Sequence, residues 1–114
     1  MTRRLGDSCL AIAVAAGLLS GAAGQLSAAR QPATHTIVME GAQFTPASHT
    51  VKAGDAVIWV NKDPYPHTAT SKAGGFDSRS VGPDKSWKFK ATKKGAFDYI
   101  CELHPTMKGT LRVE

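Results

Sequence analysis

Near its C-terminus the chain reads Cys101-Glu102-Leu103-His104-Pro105-Thr106-Met107. A thiol, an imidazole and a thioether therefore fall at equal spacing, C-x2-H-x2-M. Thiolate and thioether beside imidazole form a soft donor set, which suits copper. Zinc sites rarely use methionine, and the paired cysteines of zinc fingers are missing from this segment. Calcium and magnesium take oxygen ligands. Three donors on a seven-residue stretch converge on one ion only if the chain curls around it, and Pro105 and Gly109 suit such a loop. A fourth donor is needed. His67 is the best candidate, because Pro64-Tyr65-Pro66 makes a rigid approach to it. Two histidines and one cysteine in a near-trigonal plane, with a weak axial methionine, make the ligand pattern of blue-copper electron-transfer sites.

The cysteine count sharpens this reading. The chain has 114 residues and 2 Cys. Residues 1–29 read as a secretory signal peptide: Arg3 and Arg4 start it, Cys9 to Leu19 is an apolar run, and Ser27-Ala28-Ala29 fits a cleavage site. The expected division is a signal peptide over 1–29 and a copper-binding domain over 30–114. The twin arginines match a twin-arginine export signal only in the arginines themselves, so the export route stays open. Cleavage removes Cys9 and leaves Cys101 unpaired in an exported protein. A reactive thiol, an intermolecular bridge, a buried inert residue and a metal ligand are the choices, and the neighbouring His104 and Met107 favour the last.

The elements that must position these donors are strands. Thr34–Met39, His49–Lys52, Ala56–Asn61, His67–Ser71, Ser86–Lys90, Ala96–Cys101 and Gly109–Val113 read as extended segments separated by Gly/Pro turns. Pro46 blocks a central strand near Phe44. No stretch after the leader carries sustained helical periodicity. Short, regularly spaced strands predict an all-β sandwich or barrel of antiparallel type. Trp59, Trp87, Phe89, Phe97 and Tyr99 are expected in the core. His35 and His49 have no ligand-like neighbours and read as strand-surface histidines.

With the donors and strands in place, the chain from about Thr34 to Glu114 resembles the cupredoxin (blue copper) family, of the amicyanin and plastocyanin type. The matching pieces are Val51-Lys52-Ala53-Gly54-Asp55, Val57-Ile58-Trp59-Val60-Asn61, Pro66-His67-Thr68, Gly75-Phe76-Asp77-Ser78, Gly95 to Cys101, and the short ligand loop from Cys101 to Gly109. The resemblance implies a Greek-key β-sandwich of about eight strands with one copper ion at one end. It implies His67, Cys101 and His104 as strong ligands, Met107 as the axial one, and His104 as the ligand nearest the surface. Three positions depart from the family. Thr68 stands where relatives often carry Asn, Glu102 puts an acid directly after the thiolate, and Thr106 stands where a Phe is common.

Composition excludes much else. One domain fits the length, and no apolar run reaches the roughly 20 residues that span a bilayer. Net charge is +5, falling to +4 once Arg3, Arg4 and Asp7 leave with the leader. The lysines are scattered, with Lys62, Lys72 and Lys108 placed to steer an acidic redox partner. No nucleic-acid module is recognisable. The expectation is a monomeric, periplasmic electron carrier, not an enzyme, serving a donor dehydrogenase or a cytochrome-type acceptor. The alternative is a copper protein that stores or delivers the ion without shuttling electrons.

Overall fold

Alternating burial along the strands dictates two facing layers. In a computed structural model of the chain, which describes Gly17 and residues 30–114, nine strands fill the second of these segments. The signal-peptide reading, with Cys9, falls outside the described residues. β1 (Thr34–Glu40), β2 (Gln43–Thr45), β4 (Ala56–Asn61) and β7 (Ser86–Lys90) form one sheet in the order β2-β1-β4-β7. β3 (Ser48–Val51), β5 (Thr70–Ser71), β6 (Phe76–Asp77), β8 (Gly95–Cys101) and β9 (His104–Val113) form the other, in the order β3-β9-β8-β5-β6. No helix among the described residues is long and apolar enough to cross a membrane.

The sandwich matches the sequence expectation in class and departs from it in detail. Both sheets are mixed: β1 pairs parallel with β4, and β3 parallel with β9. Parallel neighbours need a crossover. The chain supplies it by passing through the opposite sheet, since β3 lies between β1 and β4 in sequence but in the other layer. The short strands β2 and β6 were not anticipated. β2 sits at a sheet edge just before Pro46, where a missing N–H does no harm. The extended segment expected over His67–Ser71 reduces to Thr70–Ser71, with His67 held by paired backbone hydrogen bonds to Val81.

The core forms between the sheets. Val57, Trp59 and Asn61 are the buried alternates of β4. Register places Trp59 beside Ile37 of β1 and Trp87 of β7. From across the sandwich Tyr99 meets Trp59 edge-on, ring centroids 5.5 Å apart at 85°, a favoured aromatic geometry. Phe76 joins this cluster, whereas Trp87 and Phe89 are only partly buried. Gly109 of β9 lies against the Tyr99 ring, and a Cβ there would clash with Tyr99 Cζ. Tyr99 is 1% exposed and boxed in by aromatic neighbours, so it cannot swing away cheaply. Gly109→Ala is expected to cost about 1–3 kcal/mol by overpacking, read as a drop in the midpoint of urea unfolding.

One expectation is corrected outright. His35 and His49 are not free surface histidines. Both are half-buried, and they hydrogen-bond to each other across the gap between the two sheets. Strand alternation could not show this, because the contact depends on how β1 and β3 meet.

Candidate metal centre

The site grows from the end of the β8–β9 hairpin and from the loop between β4 and β5. Along β8 and β9, Ile100 pairs with Lys108 but Cys101 pairs with His104, so Pro105, Thr106 and Met107 bulge out of the ladder. A bulge of this kind re-aims side chains at a strand end, and it is the curl that the C-x2-H-x2-M spacing demanded. Cys101 ends β8 fully buried. Met107 is 2% exposed and occupies the first of the alternate inward positions of β9. His104 is half-buried.

His67 arrives from the other sheet's loop. Asn61, buried at the end of β4, holds that loop with three bonds. Its amide donates to the carbonyls of Tyr65 (2.8 Å) and Val81 (2.9 Å), and its oxygen accepts the Asp63 N–H (2.9 Å). Asp63 then takes His67 Nε2 at 2.6 Å. A carboxylate only accepts when ionised, so Nε2 carries the proton and Nδ1 presents its lone pair. Asp63 also accepts the N–H groups of Gly41 (2.8 Å) and Ala42 (3.0 Å). Burial pushes its carboxyl up. The Ala42 N–H, the His67 ring and the Gly41 N–H outweigh that and hold it below its ordinary value.

The Nδ1 atoms of His67 and His104 lie 3.6 and 3.7 Å from Cys101 Sγ. The three donor atoms are all within 4.8 Å of one another. An ion bonded at about 2.3 Å to sulfur and about 2.0–2.1 Å to nitrogen, at trigonal to tetrahedral angles, needs S···N separations of about 3.5–3.8 Å. The donor set and its spacing therefore fit a copper ion.

The Cys101 sulfur accepts the Thr68 N–H at 3.3 Å. Thr68 Oγ1 accepts the Glu102 N–H at 2.9 Å, tying the two ligand segments together. A threonine thus makes the link between the two ligand segments, at the position where the resemblance expects the longer Asn. A relay supports it: Thr68 Oγ1 to Thr70 Oγ1 at 2.9 Å, then Thr70 Oγ1 to Asp77 Oδ1 at 3.1 Å. Because Asp77 only accepts, Thr70 donates to it and Thr68 donates to Thr70, which leaves the Thr68 lone pairs for Glu102. The Glu102 side chain is exposed and borders a shallow depression with Lys72 and Asp77.

A family model for the cupredoxin-like domain matches residues 8–113. The chain belongs to the cupredoxin-like family. Among curated relatives, amicyanin-alpha of Methylorubrum extorquens is 37% identical over 100 residues, covering 82% of this chain and 84% of the relative. Amicyanin of Paracoccus denitrificans is 34% identical over 126 residues, covering 94% of each. Among solved structures, a copper-containing nitrite reductase of Thermus scotoductus superposes with a TM-score of 0.68 at 30% identity. That match covers 75% of this chain, which spans 23% of the reductase's length.

The structure brings together three of the four residues expected at the cupredoxin site, His67, Cys101 and His104, and buries the fourth, Met107. Sequence reasoning missed Asp63, Asn61 and the Thr70–Asp77 relay. Asp63 had a signal, being an acid four residues before a candidate ligand in a proline-bracketed loop. Asp77 had none, because its role depends on β5 pairing with β6.

Proposed function

We propose that this protein is an exported type 1 (blue) copper protein that carries single electrons between redox partners, with His67, Cys101 and His104 as strong ligands and Met107 as the axial one. The observation that carries the reading is the convergence of one Sγ and two Nδ1 atoms, from two buried residues and the half-buried His104. Copper, when bound, supplies a one-electron change between Cu(I) and Cu(II). The chain's part is to keep its donors still. Asp63 fixes the His67 ring, the Thr68 N–H fixes the sulfur, and the β8–β9 bulge fixes His104, so little reorganises between the two states. His104, half-buried between exposed Leu103 (52%) and Tyr65 (39%), offers the route to the surface. The protein is not an enzyme. The relatives it matches over most of their length include amicyanins and a plastocyanin, and the likeness to the reductase spans too little of that protein to carry its activity across.

The test is the visible spectrum of protein loaded with Cu(II). Intense blue absorption that ascorbate bleaches and an oxidant restores supports the carrier. A pale protein that hands copper to an apo acceptor overturns it in favour of storage or delivery.

Two further expectations arise here. Intact-mass measurement of protein recovered from the periplasm should show a chain beginning at Arg30, within a few residues. Full-length mass there would overturn the 1–29 leader. Lys62, Lys72 and Lys108 are all exposed. Oxidation by an anionic complex such as ferricyanide should therefore slow roughly tenfold between low and physiological ionic strength. A rate that rises with salt would exclude a basic docking face.

A further inference from the structure

Away from the copper-binding end, three side chains form a second ordered cluster. Asp55, in the turn before β4, is 1% exposed. Its carboxylate accepts the backbone N–H groups of Ala33 (2.9 Å) and Lys52 (3.0 Å) and meets His35 Nε2 at 2.9 Å. His35 Nδ1 in turn lies 2.8 Å from His49 Nε2. An ionised carboxylate accepts only, so His35 holds its proton on Nε2 and turns a lone pair on Nδ1 toward His49. His35 comes from one sheet and His49 from the other. His35 is in register with Val57, and about 13 Å of β4 separates that point from Asn61, which anchors the His67 loop.

A buried carboxylate on the far nitrogen of an imidazole is the arrangement that orients metal-ligating histidines and raises their basicity. The 2.8 Å separation of the two nitrogens is a ring-to-ring N–H···N bond, with the His35 Nδ1 lone pair aimed at His49 Nε2. An ion about 2.0–2.1 Å from both nitrogens sits off that line, so the rings turn to bring their lone pairs onto it. His35 is 23% exposed, which leaves room for water on the remaining positions.

We propose that His35 Nδ1 and His49 Nε2 form a second metal site, backed by Asp55 and bridging the two sheets, for a divalent transition ion, with Cu(II) preferred over Zn(II). The ion replaces the proton shared by the two rings, and that proton moves to His49 Nδ1, so neither ring changes charge. Burial, and then the neighbouring His35, hold His49 below the ordinary histidine value, which keeps it neutral and available at neutral pH. Cu(II) comes first because affinity at nitrogen sites rises to copper along the first-row series.

The chain has 4 histidines, two of them at the copper-binding end. Zinc titrated into the wild-type protein and into H49Q and H35Q should show one more equivalent bound by wild type, and a loss of at least about tenfold in affinity for that equivalent in each variant. On wild type alone, the ring-proton resonances of His35 and His49 should shift and saturate with that equivalent, which keeps the test valid if a variant fails to fold. Equal stoichiometry in wild type and both variants, or ring resonances of His35 and His49 that do not move or never saturate, would overturn the site.

Discussion

Serine at position 101 removes the intense absorption of the Cu(II)-loaded protein and its reversible bleaching, and leaves the fold in place. The two effects separate because of where the sulfur sits. Cys101 Sγ is fully buried and accepts the Thr68 N–H. A serine hydroxyl at the same point still accepts that bond and donates toward a histidine Nδ1, so no buried group loses its partner. Stability of the metal-free protein should therefore change by no more than about 1 kcal/mol. The soft donor is lost, however, and two imidazoles with a thioether hold copper more weakly and without thiolate colour. The check is the visible spectrum beside a urea unfolding curve of the metal-free variant. A serine variant that stays intensely blue would remove Cys101 from the site. One that fails to fold would mean the thiol is a structural residue first.

Three of the four proposed ligands stand out in the sequence because they are local. Cys101, His104 and Met107 share one short stretch, and the chemistry of those donors at equal spacing depends little on the rest of the fold. Their convergence was legible only as a requirement, since the bulge that meets it appears in the register between β8 and β9. Strand class was equally open to reading: Ala56–Asn61 is a continuous run of apolar, β-favouring residues and Ser86–Lys90 alternates, and the observed strands have these limits. Pairing was not. The parallel contacts of β1 with β4 and β3 with β9 join segments whose sequences hold no trace of direction. The same gap explains the misread histidines. His35 and His49 are 14 residues apart and touch only because their strands face each other across the sandwich. Asp63 was missed for another reason: an acid in a loop with two prolines reads as solvent-facing until Asn61 is seen to pull that loop inward.

Alanine at position 63 produces the largest loss of stability expected at the site. The Asp63 carboxylate serves three donors, Gly41 N–H, Ala42 N–H and His67 Nε2. Gly41 is exposed and Ala42 half-buried, so water replaces part of what they lose. His67 is fully buried and its Nε2–H is left without a partner. The summed cost is about 2–4 kcal/mol. Copper affinity should fall about 10- to 100-fold, because the ring is no longer aimed. The same carboxylate sets an acid limit. Its folded value lies below the ordinary 3.8, so its contribution is complete above that pH and disappears as pH falls through the lower folded value. The alanine variant should lose this acid-side slope along with the stability, as measured by urea unfolding at a series of pH values. Asparagine divides the two functions. With its oxygen in the place of Oδ1 it still accepts the Gly41 N–H, but its NH2 then replaces Oδ2, which serves both the Ala42 N–H and His67 Nε2, and drives the ring proton to Nδ1, the nitrogen needed for the metal. D63N should thus keep more stability than D63A while losing comparable copper affinity. Equal stability in the two variants, or undiminished affinity in D63N, would show that Asp63 holds the turn and has no part in aiming His67.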